Sequence, residues 1–249
     1  WATSWGFDAF GAFAAWEVPT ANPLRPVVYR MRWVPPVTCV IGSPVGEAGR
    51  WDNETEREVS LTRGFWIGET QVTQRLWWAI TGNNPSRFAP RAGDPDAWLD
   101  RPVEQVSWSD VVALCERLNA DDPVGDIGLP TEAEWEVACR AGSRDARYSP
   151  TVDDIAWHVR NSSARTHSVG SKRPNAIGVH DALGNVWEWC ADTASRPDQE
   201  RGTVIDPFST GGSDGERVLR GGSFDRDERR SRAARRLYHH PWHRWEAIG

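Results

Sequence analysis

Clear helical spacing begins in Val72–Ile80, where Val72, Leu76, Trp77 and Ile80 recur on one face before Gly82 and the turn-forming Asn83-Asn84-Pro85. VSWSDVVALCERLNA predicts a second helix, with Val111, Leu114, Cys115 and Leu118 on one face and Ser107 or Ser109 as its cap. A third runs from Thr131 to Gly142, because Thr131 and Glu134 form a T-x-x-E capping box and Trp135 and Cys139 share a buried face. Strand periodicity appears in Val27–Ile41, where β-branched alternation is broken by Pro35-Pro36 and predicts two short strands joined by a turn. VSLTRGFWIGETQV, residues 59–72, reads as strand, turn and strand, and Glu47–Glu56 as a polar loop. Beyond Gly142 no long helix is predicted, and Gly, Pro, Asn and Asp break the chain into short pieces. Trp5, Phe7, Phe10, Phe13 and Trp16 make the start too hydrophobic for a free arm, so residues 1–27 are expected as an extension packed on the body. With no repeat and no linker, the pattern predicts one loop-rich α+β domain over residues 1–249.

Composition sharpens this picture. Apolar residues make up 39% of the 249, enough for a core, and sixteen are tryptophan, whose indole N–H groups each require an acceptor when buried. A net charge of −6 argues against general nucleic-acid binding, yet from Phe224 onward seven Arg face four Asp/Glu, and three of the six His lie there too. No apolar run approaches the roughly 18–20 residues that span a bilayer. Cys39, Cys115, Cys139 and Cys190 form no C-x-x-C pair, which excludes a zinc ribbon or dithiol motif and predicts free thiols in a reducing compartment. A cytoplasmic location is the default expectation, with cell surface or secretion open should a piece before Trp1 have been removed. Oligomeric state is not legible.

Six stretches occur in a recognisable order: MRWVPPVTCVIGSP, FWIGETQVTQRLWWAITGNNPSRF, PVEQVSWSDVVALCERLN, LPTEAEWEVACRAG, PNAIGVHDALGNVWEWCAD and RVLRGGSF. Together they resemble the formylglycine-generating enzyme, or sulfatase-modifying factor, family. The resemblance implies an irregular variant of the C-type lectin fold, with a few helices around short twisted sheets. The family's copper-dependent oxidase needs two cysteines just after the RGGS motif, since cuprous ion prefers thiolates. Arg226 and Ser231 stand near those places here, and no cysteine follows Cys190. The related iron-dependent sulfoxide synthases carry a helical-bundle domain supplying histidine and carboxylate ligands, which has no counterpart in these 249 residues. A metal-dependent oxidoreductase of either type is therefore the alternative expectation.

The ending also resembles the variable proteins of diversity-generating retroelements, which display a hypervariable ligand-binding surface on a lectin-type fold. Arg220-Gly221-Gly222-Ser223-Phe224 fits the start of their pattern, and Arg232, Ala234, Arg236, Pro241, Arg244, Ile248 and Gly249 fall at its later fixed places. The resemblance makes residues 220–249 the variable segment and implies a non-enzymatic protein that binds a protein or other macromolecule. Its expected ligand-binding residues are Asp225, Arg226, Asp227, Arg229, Arg230, Ala233, Arg235, Leu237, Tyr238, His239, His240, Trp242, His243, Trp245 and Glu246. The expected scaffold anchors are Arg220, Arg232, Arg236 and Arg244, since guanidinium groups can pin a loop by charge-assisted bonds to carbonyls and buried carboxylates. Aromatic and Arg side chains between them suit binding hot spots.

The same residues offer other chemistry. His239, His240 and His243 with Glu246 could ligate a metal, but adjacent histidines in a strand point to opposite sides. Arg229, Arg230, Arg232, Arg235 and Arg236 could bind phosphate, but Asp225, Asp227 and Glu228 weaken that field. In the family, the stretch matching HDALGNVWEWCAD can hold calcium, which here implies Asp181, Gly184, Val186 and Glu188 as ligands of a structural Ca2+. From the residues alone, Glu188 and Asn185 read equally well as hydrogen-bond ties. No cofactor is required by either reading, and Asp181, Glu188 and Asp192 lack the nucleophile or base that hydrolysis needs.

Overall fold

The structure, a computed structural model, describes residues 1–18, 26–89, 99–121, 126–195, 202–211 and 215–249. Among the described residues, ten strands are distributed over three small sheets. The first sheet has the order β1 (Ser4–Asp8), β2 (Gly11–Val18), β3 (Val27–Val34), β6 (Phe65–Gly68) and is antiparallel throughout. The second joins β4 (Val37–Ile41) antiparallel to β5 (Arg57–Leu61) and β5 parallel to β8 (Val204–Ile205). In the third, β9 (Arg217–Arg220) lies between β10 (Arg236–His239) and β7 (Glu188–Thr193), with a bulge in the β7 pairing between Trp189 and Thr193.

Both strand pairs expected in the first third exist, but neither closes on itself. Pro35 and Pro36 carry no N–H, so no ladder can cross them; β3 pairs with β2 and β6, while β4 leaves for the second sheet. The strands of residues 59–72 separate in the same way, and the later one ends at Gly68.

The helices follow local chemistry. α1 (Gln74–Thr81) is capped by Thr73 Oγ1, which accepts from Leu76 N–H, and ends at left-handed Gly82. α2 (Trp108–Asp121) starts on Ser107, whose hydroxyl accepts from Asp110 N–H while the Asp110 carboxylate accepts from Ser107 N–H. α3 (Glu132–Arg140) has the full Thr131/Glu134 capping box. One short helix, α4 (Val152–Ile155), follows.

α3 divides the interior. Ala133, Val137 and Ala138 pack on Val34, Ile41, Val59 and Leu61, while Trp135 and Cys139 pack on Ile155, Leu183, Cys190, Val218 and Ala233. Indole N–H groups tie these small cores together. Trp189 donates to Val106 O at 3.1 Å, Trp108 to Cys190 O at 3.0 Å, and Trp135 to Glu188 Oε2 at 2.8 Å. All four cysteines are free, and Cys139 and Cys190 are buried.

The N-terminal extension lies on the body as the β1–β2 hairpin and lengthens the first sheet through β3, with Ala14 and Ala15 buried on β2 and Trp16 against Val18, Val27 and Leu76. Not all of its rings are covered. β1 is the edge strand, so Trp5 and Phe7 stand 76% and 77% exposed at its rim. Residues 19–25 of that extension lie outside the described residues. No helix among the described residues is long and apolar enough to cross a membrane.

Candidate ligand-binding face

The C-terminal segment begins where β9 ends. Gly221 and Gly222 both have positive φ, at 98° and 86°, and a Cβ on Gly221 would lie 2.7 Å from Ala182 O, so only glycine turns the chain there. The turn is sealed by hydrogen bonds from Gly184 N to Gly221 O at 2.9 Å and from Phe224 N to Asn185 O at 2.7 Å. Phe224 is buried, edge-on to Phe88, in a loop whose Arg87 and Phe88 N–H groups both donate to the Glu104 carboxylate.

From here each arginine of the fixed pattern reaches a partner. Arg220 donates to Arg235 O at 2.8 Å and pairs with Glu136. Arg232 forms a bidentate pair with Glu54 at 2.8 and 2.7 Å, donates to Gly49 O at 2.6 Å and also pairs with Glu47. Arg236 grips Glu132 at 2.6 Å through Nε and again through Nη2, and reaches Asn53 O at 3.1 Å. These three are buried. Arg244 differs: it is half exposed and holds Asp110, at the start of α2, through bonds of 2.8 and 2.7 Å. The last turn is fastened by Trp187 N to Ala247 O at 2.8 Å and Gly249 N to Trp187 O at 3.0 Å, with Ile248 fully buried.

Between these ties other side chains reach the surface. Trp242 is 65% exposed and stacks on His240 at 4.6 Å, and His239 stacks on His243 at 4.3 Å. Burial and the neighbouring His243 lower the pKa of His239, which favours the neutral ring. Asp227 caps a short 3-10 turn, Glu228–Arg230, by accepting from Arg229 N–H at 2.9 Å, and Arg229 extends into solvent. Asp225, Arg226, Asp227, Arg230, Leu237, Tyr238 and Glu246 are partly exposed. The Tyr238 hydroxyl accepts from Asn53 Nδ2 at 3.1 Å.

Two expected display residues are not on this face. Ala233 is 2% exposed, packs with Trp135 and Cys139, and donates its N–H to Ala146 O at 2.9 Å. Arg235 is 3% exposed beneath the ring of Trp51, its guanidinium carbon 3.8 Å from the ring centroid. Arg232 and Arg236 pull the backbone inward on either side, which turns these intervening side chains into the body. Trp245 is only partly exposed: it packs against Trp187, Trp189, Leu219 and Ile248, and Arg226 covers its ring at 4.4 Å.

The structure adds residues that the sequence did not single out. Trp51, 50% exposed, and Asn53 bring the polar loop of residues 47–56 against the segment. Arg147 donates to Ser231 O at 2.8 Å and Glu228 O at 2.7 Å, gripping it from the other side. A tryptophan in a polar loop was the available signal for Trp51; Arg147 had none. Nε and Nη1 of Arg235 and Nδ1 of His240 are buried without a hydrogen-bond partner among the described residues, and burial with repulsion from Arg230 lowers the Arg235 pKa to about 10.

The expected calcium residues come together, but around an atom of the protein. The oxygens of Asp181, Gly184, Val186 and Glu188 surround Gln71 Nε2, and Asp181 contributes its main-chain oxygen rather than its carboxylate. Among the described residues no group of three or more His, Cys, Asp or Glu is placed to hold a metal ion, the His239, His240, His243 and Glu246 set included.

Residues 22–249 match the sulfatase-modifying factor enzyme 1-like domain. The chain belongs to this family. It is 33% identical over 166 residues to the formylglycine-generating enzyme of Streptomyces coelicolor, covering 59% of this chain and 50% of that one. It is 27% identical over 202 residues to chaperone protein LppX of Paenibacillus barcinonensis, covering 60% and 69%. The chain thus spans about half the length of the formylglycine-generating enzyme it matches. Among solved structures, Treponema denticola variable protein 1 superposes with a TM-score of 0.80 at 28% identity, over 94% of this chain and 96% of that one. PvdO from Pseudomonas aeruginosa superposes at 0.72 and 25% identity, over 88% and 92%. The fold is the irregular C-type lectin type of the formylglycine-generating enzymes.

Proposed function

We propose that this chain is a non-enzymatic ligand-binding protein, a variable protein of a diversity-generating retroelement, whose face is built on residues 224–247 with Trp51 beside them. The observation that carries the reading is the division of labour within the segment: Arg220, Arg232 and Arg236 are buried in ion pairs while Arg229 and Trp242 stand in solvent. A rigid backing lets the outward side chains change without refolding the body. The likeness to Treponema denticola variable protein 1 over nearly its whole length supports the same reading. Large rings and guanidinium groups on a fixed backbone suit a macromolecular surface, with a protein as the partner, because they offer contact area at low entropic cost.

The relatives named formylglycine-generating enzymes favour a second reading, a metal-dependent oxidase. Against it, Cys39, Cys115, Cys139 and Cys190 lie on β4, α2, α3 and β7, outside the C-terminal segment, and burial raises all four thiol pKa values away from the thiolate. Genomic sequencing tests the first reading. A near-identical copy of the DNA encoding residues 220–249, differing at adenines and lying beside a reverse transcriptase gene, is expected; its absence removes the variable-protein assignment. Oxygen consumption by the copper- or iron-loaded protein would support the oxidase instead.

A further inference from the structure

Four oxygens from one loop meet at a single atom of another. Gln71 Nε2 lies 3.1 Å from Asp181 O, 3.3 Å from Gly184 O, 3.0 Å from Val186 O and 2.9 Å from Glu188 Oε1. Three carbonyls and a carboxylate around one point are the donor set of a hard divalent cation, which calcium would bind at about 2.3–2.6 Å. An amide nitrogen offers two protons, so it can satisfy at most two of these four acceptors with good geometry. The fit is incomplete at its other end too, where Gln71 Oε1 is buried without a hydrogen-bond partner among the described residues. Among the described residues the second Glu188 oxygen takes only the Trp135 indole N–H, at 2.8 Å. The shell is shaped for positive charge and filled by a neutral amide.

A cation at that centre would coincide with Gln71 Nε2, so ion and amide exclude each other. Gln71 is itself 8% exposed, and the next residues leave little slack: Val72 O accepts from Val103 N at 2.8 Å and Thr73 caps α1. We infer that Gln71 is a built-in substitute for a divalent cation. It closes the Asp181–Glu188 shell without metal, and shortening its side chain converts the shell into a calcium site. This replaces the calcium expected at these residues from the family resemblance. The consequence reaches the binding face, because Gly184 N holds Gly221 O and Trp187 holds both Ala247 and Gly249, so the backing of the C-terminal segment becomes independent of calcium concentration.

The test is calcium titration calorimetry and thermal unfolding of the chelator-treated wild type, Gln71→Ala and the double variant Gln71→Ala/Glu188→Gln. The wild type is expected to take up no calcium and to keep its Tm whether chelator or calcium is present. Gln71→Ala is expected to melt lower in chelator, to bind one calcium ion, and to regain roughly 5–10 °C when calcium reaches a hundred times its Kd. The double variant should lose that regain. Should Gln71→Ala not fold in chelator, folding on addition of calcium is the same expected result. One calcium bound by the wild type with a rise in Tm overturns the inference, and so does a Gln71→Ala protein whose folding and Tm ignore calcium.

Discussion

Arg236 and Glu132 are joined by two parallel hydrogen bonds of 2.6 Å, Nε to Oε1 and Nη2 to Oε2, between side chains nearly closed off from water. Arg220 Nε lies 3.5 Å from the same Glu132 Oε1, so one carboxylate at the start of α3 compensates two buried guanidinium groups beneath the binding face. Replacing it leaves buried charge under-compensated, and Glu132→Gln is expected to cost about 3–5 kcal/mol in urea unfolding at neutral pH. Burial alone would raise the Glu132 pKa, but Arg236 and Arg220 overcome this and lower it. A lowered carboxyl pKa gives stability that is present above the unfolded value, about 4.3, and is lost as pH falls through the folded value. The acid limb of the Tm–pH curve should therefore be flatter in Glu132→Gln than in the wild type; equal limbs would show that the pair is not linked to acid unfolding.

The two tryptophans of the segment separate binding from stability. Trp242 is 65% exposed, so Trp242→Ala should change stability by no more than about 0.5 kcal/mol. A ligand selected on the wild-type face should nevertheless be lost. Trp245 leans on Trp187, Leu219 and Ile248, and Trp245→Ala should cost about 2 kcal/mol as well as weaken binding. Denaturant unfolding and affinity for the same selected ligand check both variants, and a large Tm loss in Trp242→Ala would place that ring in the core instead.

What could be read from the chain follows the range of the interactions. Thr131 and Glu134 lie three apart, so their residue types announce that helix start directly. Ser107, one of two serines open to begin α2, is fixed by its bonds with Asp110, and Thr73 starts α1 at Gln74, two residues later than the apolar spacing from Val72 suggests. Strand existence was legible from alternation, but not pairing. Pro35-Pro36 looks like a turn between neighbours, and only the tertiary structure assigns β3 and β4 to different sheets. The fixed arginines were visible as a pattern, while their partners Glu54, Glu132 and Glu136 lie 84 to 178 residues away in sequence, where only packing brings them close. Gln71 carried no signal, since one amide in the largely polar stretch Glu69–Gln74 says nothing of four oxygens 110 and more residues further on. Ala233 and Arg235 were misplaced because pattern spacing does not tell which way a residue between two inward-pulled anchors will turn.

Glu104 gives the protein a pH dependence of opposite sign. Its carboxylate accepts from Phe88 N–H at 2.9 Å and Arg87 N–H at 3.0 Å, yet burial raises its pKa to about 7 despite these bonds. A raised carboxyl pKa favours the protonated folded state. The stability it contributes is complete below the unfolded value, about 4.3, and is lost as pH rises through about 7. Between those limits the wild type should lose stability, and Glu104→Gln should lose less over the same interval, even though its single amide oxygen stands where two carboxylate oxygens each accept from one N–H. Unfolding free energies at several pH values decide this, and parallel slopes would assign the dependence to another group.

Display positions should be distinguishable from scaffold positions by how they tolerate bulk. Arg229 is exposed on the 3-10 turn, whereas Ala233, four residues later, fills a gap beside Trp135 and Cys139 at 2% exposure. Arg229→Trp is therefore expected to leave unfolding free energy within about 0.5 kcal/mol of the wild type. Ala233→Leu forces three extra carbons into a packed core and should cost about 1–3 kcal/mol, more if the Ala146 contact breaks. Substitution libraries at the two positions, sorted first for folding and then for binding, should recover large residues freely at 229 and only small ones at 233. Free recovery of large side chains at 233 would mean that the segment can shift outward there, and would return that residue to the binding face.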